Sequence, residues 1–295
     1  MRKPLLIACG DLHLCENAPV MRSAEPDWFE AQARQLRWLK ELGRTYDCPI
    51  VIAGDVFDKA VGSSRLMNFA IDESPQAYAI AGNHDLPYHN RDKLSLSSYG
   101  NLMRAGTLIN IDGVVKLVCG DKTVALHGFP FGAPFAPCTK QADIDIAVVH
   151  HLIWKGNSQY ARIAPDSHIS RIKGQLPGYD FYIFGDNHET ILEGNLVNCG
   201  TFYRRARGQE AFSPVVALID AIGIELMPVP VSEDRFAEKV AEYKSDGGYD
   251  FTEFFNSLRK AECLTCDVGQ LLKEYFLEYP VEPDVYAAVV SITEP

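Results

Sequence analysis

Five short stretches of the chain end in side chains able to donate oxygen or nitrogen to a metal ion. They are Gly10-Asp11-Leu12-His13, Gly54-Asp55-Val56-Phe57-Asp58, Gly82-Asn83-His84-Asp85, His150-His151 and Gly185-Asp186-Asn187-His188. The donors are carboxylates, imidazoles and one amide, with no thiolate among them. Such a set suits manganese, iron, zinc or a similar divalent ion. Two ions about 3.5–4 Å apart can clamp the attacking and leaving oxygens of an in-line phosphoryl displacement. That arrangement needs a carboxylate shared between the ions, and Asp55 is the natural bridge.

Each stretch follows a run that reads as a strand: residues 5–8, 50–53, 78–81, 146–149 and 181–184. Continuous apolar runs of this length fit strands covered on both faces. In an α/β sheet the ligand crevice lies beyond the carboxyl ends of the strands, so all five tips can converge. Between the first two, residues 27–47 carry Phe29, Leu36, Leu39 and Leu42 at helical spacing, the crossover helix of a βαβ unit. Helices are also expected over 63–71 and 95–105. From 108 to 149 short β-rich runs alternate with glycine and proline turns, which predicts a second sheet. Within it, 128–140 reads as a long loop whose Phe129, Phe131 and Phe135 plug the core rather than stack on a base.

Strand-like runs at 215–219 and 224–229 close this part, and the pattern after Pro230 turns helical. Ser232 is placed to cap a helix bearing Phe236, Val240 and Tyr243 that Gly247-Gly248 stops. Further helices are expected over 251–258, 268–277 and 284–292. The reading is a catalytic domain over 1–230 and a small helical extension over 231–295.

A single GD or GNH tripeptide is ordinarily a turn. Five in order are far more specific. The series GDLH, GDVFD, GNHD, VVHH and GDNH resembles the calcineurin-like metallophosphoesterase signature. Within that superfamily GDLHL and GNHDLP are most similar to SbcD-type DNA-repair nucleases and their short phage-borne relatives, as is the stretch from Asn198 to Arg204. Protein serine/threonine phosphatases fit less well, because Lys59-Ala60 and Asp85 stand where they carry RG and Glu. The resemblance implies a four-layer α/β/β/α sandwich. It implies that Asp11, His13 and His188 bind one metal, that Asn83, His150 and Asp186 bind the other, and that Asp55 is shared. His84 would protonate the leaving alkoxide, oriented by Asp58. His151 and Arg204 are candidate substrate contacts, and His151 is also an alternative to His150 as ligand. Asp186 departs from the signature, which has histidine there; a carboxylate adds hardness and favours manganese or magnesium. His127, His89 and His168 have lower claims, as a half-buried core histidine and two loop histidines.

The implied activity is two-metal hydrolysis of phosphodiester bonds in DNA, alone or with an SbcC-like ATPase, with manganese the first choice of cofactor over iron, zinc or magnesium. The alternatives are a small-molecule or cyclic-nucleotide phosphodiesterase and a non-catalytic scaffold. Composition bounds the choice. With 295 residues, 47% hydrophobic and 23% charged, the chain has the make-up of an ordinary globular protein. A net charge of −11 argues against a strongly basic nucleic-acid coat, although Arg204, Arg205 and Arg207 cluster after the last motif. No run approaches the ~18 apolar residues of a membrane span. The apolar run after Met1-Arg2-Lys3 is cut short by Asp11 and reads as a strand rather than a signal peptide. Eight cysteines without a disulfide pattern point to a reducing, cytoplasmic setting, and Cys263-x-x-Cys266 alone is a weak metal or redox signal.

Overall fold

The computed structural model describes residues 3–237, apart from 157, 159 and 207. β1 (Leu6–Cys9) is buried along its whole length and leads through a loop to α1 (Trp28–Tyr46). Asp27 caps that helix, its carboxylate accepting from Glu30 N at 3.2 Å, and Asp47 ends it in a left-handed conformation. The chain then runs through β2 (Ile50–Ile52), α2 (Ser64–Glu73, capped by Ser63), β3 (Ala77–Ala79), α3 (Ser98–Ala105, capped by Ser97) and β4 (Leu108–Asn110). Capping serines fix the starts of both helices because each hydroxyl takes up an amide left without a partner in the first turn.

A second series follows: β5 (Val114–Cys119), β6 (Lys122–Phe129), β7 (Ile144–His150), α4 (Tyr160–Ile163), α5 (Ile169–Gln175), β8 (Phe181–Gly185), β9 (Ile191–Glu193) and β10 (Leu196–Asn198). β11 (Val215–Ile219) and β12 (Ile224–Pro228) then return to the first sheet. The first sheet has the order β12-β11-β1-β2-β3-β4, with β1 to β4 parallel and β11 antiparallel to β1. The second has the order β5-β6-β7-β8-β10-β9, with β6, β7, β8 and β10 parallel.

Alternation along the strands builds the layers. Ile7 and Cys9 face a core with Leu36 and Leu39 of α1, Leu66 of α2 and Leu102 of α3. Leu6 and Ala8 point the other way, toward Val124, Leu126, Ile146 and Val148 of the second sheet. The outer face of that sheet, with Ala147, Val149, Tyr182 and Phe184, packs on Ile169 and Ile172 of α5. The architecture is therefore the expected α/β/β/α sandwich. Each fully buried leucine in these layers contributes about 1.5–3 kcal/mol over exposure.

Three expectations are corrected. Residues 108–110 do not open the second sheet; they pair with β3 as the edge of the first. The helix expected over 95–105 begins at Ser98, because Arg91–Leu96 forms a 3-10 turn ahead of the Ser97 cap. Residues 232–237 form a turn and irregular chain instead of a helix. There Asp234 is drawn to the guanidinium groups of Arg22 and Arg204, both at 2.9 Å, and Phe236 sits over both arginines. Those buried charges outweigh one turn of helix propensity. The helices expected beyond residue 237, and the Cys263-x-x-Cys266 pair, lie outside the described residues. Among the described residues no helix is long and apolar enough to cross a membrane.

Candidate metal centre

The loops after β1, β2 and β3 in one sheet and after β7 and β8 in the other meet at one end of the sandwich. Main-chain bonds lace them together: Asp11 N donates to Gly54 O (3.1 Å), His13 N to Asp55 O (2.9 Å) and Phe202 N to Asp11 O (3.3 Å). Asp11, His13, Asp55 and Asp186 all hold positive φ, at 51°, 45°, 50° and 94°. Four non-glycine residues in that region mark backbone strain gathered where side chains must be aimed. The motif glycines serve close approach. A Cβ at Gly54 would lie 2.2 Å from His150 Nδ1, and one at Gly82 would lie 2.1 Å from Asp55 Oδ1.

The structure gathers the predicted ligands. Donor atoms of Asp11, His13 and His188 lie within 4.8 Å of one another, as do those of Asp11, Asp55 and His150. His13 Nε2 and His188 Nε2 are 3.0 Å apart. Asp55 Oδ2 lies 3.7 Å from His13 Nε2 and 3.5 Å from His150 Nε2, between the two groups. Its other oxygen accepts from His84 N at 3.0 Å. Asn83 Oδ1 is 3.0 Å from His150 Nε2, and Asp186 Oδ1 is 4.0 Å from the same atom. The main-chain N of Asp186 also donates to Asp11 Oδ1 at 3.0 Å.

These donors fit divalent cations. His150 Nδ1 bonds the carbonyl of Ala53 at 2.7 Å, and a carbonyl only accepts, so Nδ1 carries the proton. In the neutral ring Nε2 is then a lone pair facing three oxygen acceptors, a cluster that lacks a positive charge. The electrostatics agree. Burial opposes a charge on His150, yet the carboxylates of Asp55, Asp186 and Asp11 raise its pKa well above the ordinary value. Burial, with Asp55 and Asp186 nearby, pushes the Asp11 carboxyl up. Burial also works against Asp55 ionising, but His150, His13 and His84 hold its carboxyl below the usual range. Asp11, His13, Asp55, Asn83, His150, Asp186 and His188 would hold the ions, and a metal pair supplies the positive charge that activates water and steadies a phosphoryl group.

Beside this group His84 departs from the expected pairing. Its Nδ1 lies 2.8 Å from the main-chain carbonyl of Asp58, not from the carboxylate. The carboxylate instead accepts from Arg205 Nη2 at 2.6 Å, while Asp58 Oδ1 is 3.8 Å from His13 Nδ1. Arg205 Nε is buried without a partner, so the guanidinium retains donor capacity. Reasoning from sequence placed Arg204 here, and the structure corrects it. The guanidinium nitrogens of Arg204 bond Asp234 Oδ2, Glu210 O and Val231 O at 2.9, 2.7 and 2.8 Å, committing it to holding the following segment. The two arginines are adjacent, and only Arg205 turns toward the centre.

His151 sits apart from the gathered donors, its Nε2 3.3 Å from Ser167 Oγ and its ring against Phe135. His168 packs on Trp154, His89 on Phe131 and His127 on Tyr179. Asp85 is a functional support that the sequence reading missed. It is fully buried and accepts from the amides of Gly82, Val56 and Phe57 at 2.9, 3.2 and 3.0 Å, tying the Asn83 loop to the Asp55 loop. Burial and the charge of Asp55 raise its pKa to about 7. A carboxylate directly after GNH was the available signal. A cavity of about 220 Å³ opens at Asp58, lined also by Leu14, Cys15, Asn17 and Lys59. A cavity of about 820 Å³ around Lys40, Asp47, Gln76 and Gly106 lies at the opposite ends of the strands and contains none of the donors.

Among solved structures, the fold is similar to a protein described as a candidate 5'-nucleotidase from Staphylococcus aureus, in complex with alpha-ketoglutarate (16% identity, TM-score 0.48, 76% of this chain and 54% of that one). It is similar also to the sulfate thiohydrolase SoxB of Thermus thermophilus in complex with glycerol (10% identity, TM-score 0.45, 79% of this chain and 58% of that one). The chain thus spans little more than half the length of either. No curated protein matches it. Residues 5–190, which contain all five donor stretches, match the calcineurin-like phosphoesterase family. The chain belongs to that family.

Proposed function

We propose that this protein is a two-metal phosphodiesterase that cleaves DNA, as an SbcD-like nuclease working alone or beside an SbcC-like ATPase in DNA repair, with manganese its preferred ion. The observation that carries the reading is the place of Asp55. Its Oδ2 stands between His13 and His150, 3.7 and 3.5 Å from their nitrogens, where one carboxylate can serve two ions. The donor set is oxygen and imidazole only, which favours manganese over softer choices.

The remaining groups are arranged for the substrate. His84 keeps its Nδ1–H on the Asp58 carbonyl, so Nε2 is the free ring nitrogen, and in the doubly protonated ring its N–H delivers a proton to a departing alkoxide. Arg205 lies at the same edge, bonded to Asp58, and a planar guanidinium suits a phosphate oxygen pair. The wording GDLHL and GNHDLP supports DNA as the substrate. The net charge of −11 restricts DNA contact to local basic groups such as Arg205.

Hydrolysis of a panel with added manganese tests the reading: single- and double-stranded DNA, cyclic nucleotides, and an aryl phosphodiester. Cleavage of DNA well above the small esters is expected. Turnover of cyclic nucleotides alone would move the substrate class to small molecules, and no turnover of any member with metal loaded would leave the scaffold reading.

A further inference from the structure

A second set of metal donors lies on the outer face of the second sheet. His127 of β6 and Asp145 of β7 share one face, because Ala125 pairs with Asp145 and His127 with Ala147. The loop between these strands folds back over them and brings Cys138 to the same point. The donor atoms of His127, Cys138 and Asp145 lie within 4.8 Å of one another. Asp145 is five residues before His150 on the same strand, which puts this group roughly 16 Å from the His150 donor.

We propose that His127, Cys138 and Asp145 form a separate mononuclear zinc-type site that fastens the loop of residues 130–143 to the sheet. The donors differ in kind from those of the first centre. A thiolate, an imidazole and a carboxylate suit zinc or cobalt better than manganese, and leave the fourth tetrahedral position to water. Tetrahedral zinc holds such donors roughly 3.2–3.7 Å apart. His127 Nε2 and Asp145 Oδ1, now hydrogen-bonded at 2.7 Å, must open by about half an ångström, and Cys138 must close in. Cys138 is half-buried on irregular chain, where such a shift is cheap.

Binding would exchange a thiol proton and one ion pair for the metal. Burial and the neighbouring Asp145 carboxylate both raise the Cys138 thiol, so the metal-free site keeps its proton. Binding would form the sulfur–metal bond and release that proton to solvent. Lys140 Nζ now lies 3.3 Å from Asp145 Oδ2, and 2.5 Å from Asp180, so it can yield the first carboxylate and keep the second. The loop also carries Phe135, whose ring packs against His151 at 5.2 Å. A loop of this length without secondary structure is uncommon unless something pins it.

Cobalt titration tests this. The full chain carrying Cys263→Ser and Cys266→Ser, which removes the Cys-x-x-Cys pair of the sequence, is stripped of metal and titrated with cobalt(II). A near-ultraviolet thiolate-to-cobalt charge-transfer band is expected to saturate at one equivalent, because the first centre has no thiolate. Cys138→Ser should abolish the band while circular dichroism and manganese-supported hydrolysis stay as in the parent. His127→Gln should weaken cobalt binding on the order of 10²-fold or more, since even an outer partner of a ligand is worth 10–100-fold. Absence of the band in the parent, or an unchanged band in Cys138→Ser, would overturn the proposal.

Discussion

His84 and Asp58 can be separated by their leaving-group behaviour, and the structure alters what each substitution should do. If His84 delivers the proton, His84→Ala should retain both ions and lose on the order of 10²–10⁴-fold in rate on an alkyl phosphodiester. That corresponds to about 3–5 kcal/mol of transition-state stabilisation. An aryloxide leaves with little protonation, so the loss should shrink on an aryl ester. Asp58→Asn should behave differently, because the oxygen that holds His84 Nδ1 belongs to the main chain and survives the change. What is lost is the charge in the 2.6 Å contact with Arg205, whose partners are 19% and 29% exposed. A hydrogen bond between charged groups is worth about 1.5–3 kcal/mol, and roughly half of that remains with a neutral acceptor. The expected cost is about 0.75–1.5 kcal/mol, a factor of about 4–13, and it should be the same on alkyl and aryl esters. The assay is steady-state hydrolysis of one alkyl and one aryl diester by each variant, with metal content measured on the same preparations. An Asp58→Asn loss that grows on the alkyl ester as steeply as that of His84→Ala would refute the carbonyl assignment and restore a carboxylate–histidine dyad. Metal loss from His84→Ala would make His84 a ligand.

The other expectations concern the ions and their supports. Asp55→Asn should lower the content of both ions while His188→Ala empties mainly one, as elemental analysis of the purified variants will show; an Asp55→Asn protein retaining two tightly held ions would remove the bridge. Because Asp55, Asp186 and Asp11 raise His150 in the metal-free protein, its bound proton stabilises that form below the unfolded pKa and is lost as pH rises through the folded one. Metal binding near neutral pH should therefore expel a proton and tighten as pH rises, seen calorimetrically as a dependence of the heat on buffer ionisation enthalpy; heats independent of buffer would count against it. Gly82→Ala, whose new Cβ would meet Asp55 Oδ1 at 2.1 Å, should cost metal affinity out of proportion to its size, measured by competition with a chelator. Asp85→Asn should lower stability by about 1–3 kcal/mol, since an amide offers one acceptor oxygen where three main-chain amides now share two, and denaturant unfolding measures it.

What could be read from the chain, and what could not, divides along a physical line. The five donor stretches were legible because four of them couple a glycine, and the fifth a histidine pair, to the end of an apolar strand. The structure shows why the glycines stand there: Gly54 and Gly82 have no room for a Cβ beside His150 and Asp55. The crossover helix was legible from its 3.6-residue period, and its ends from Asp27 and Asp47. Three-residue strands carry no such period, so β4 was assigned to the wrong sheet, and only its pairing with β3 decides the matter. Side-chain direction in irregular chain was beyond reach for the same reason. Arg204 and Arg205 are alike in type and adjacent, yet one is spent on Asp234 and the other reaches Asp58. The choice between them is made by Asp234, thirty residues later, and by the refusal of residues 232–237 to form the helix their pattern suggested. The buried charges of Arg22, Glu25, Arg204 and Asp234 therefore have a consequence at the candidate active end: by holding Arg204 inward they fix the face on which Arg205 emerges. Removing one partner of such a buried group strands the others at a cost of about 3–5 kcal/mol, more than the about 1.5–3 kcal/mol of the half-buried contact between Arg205 and Asp58.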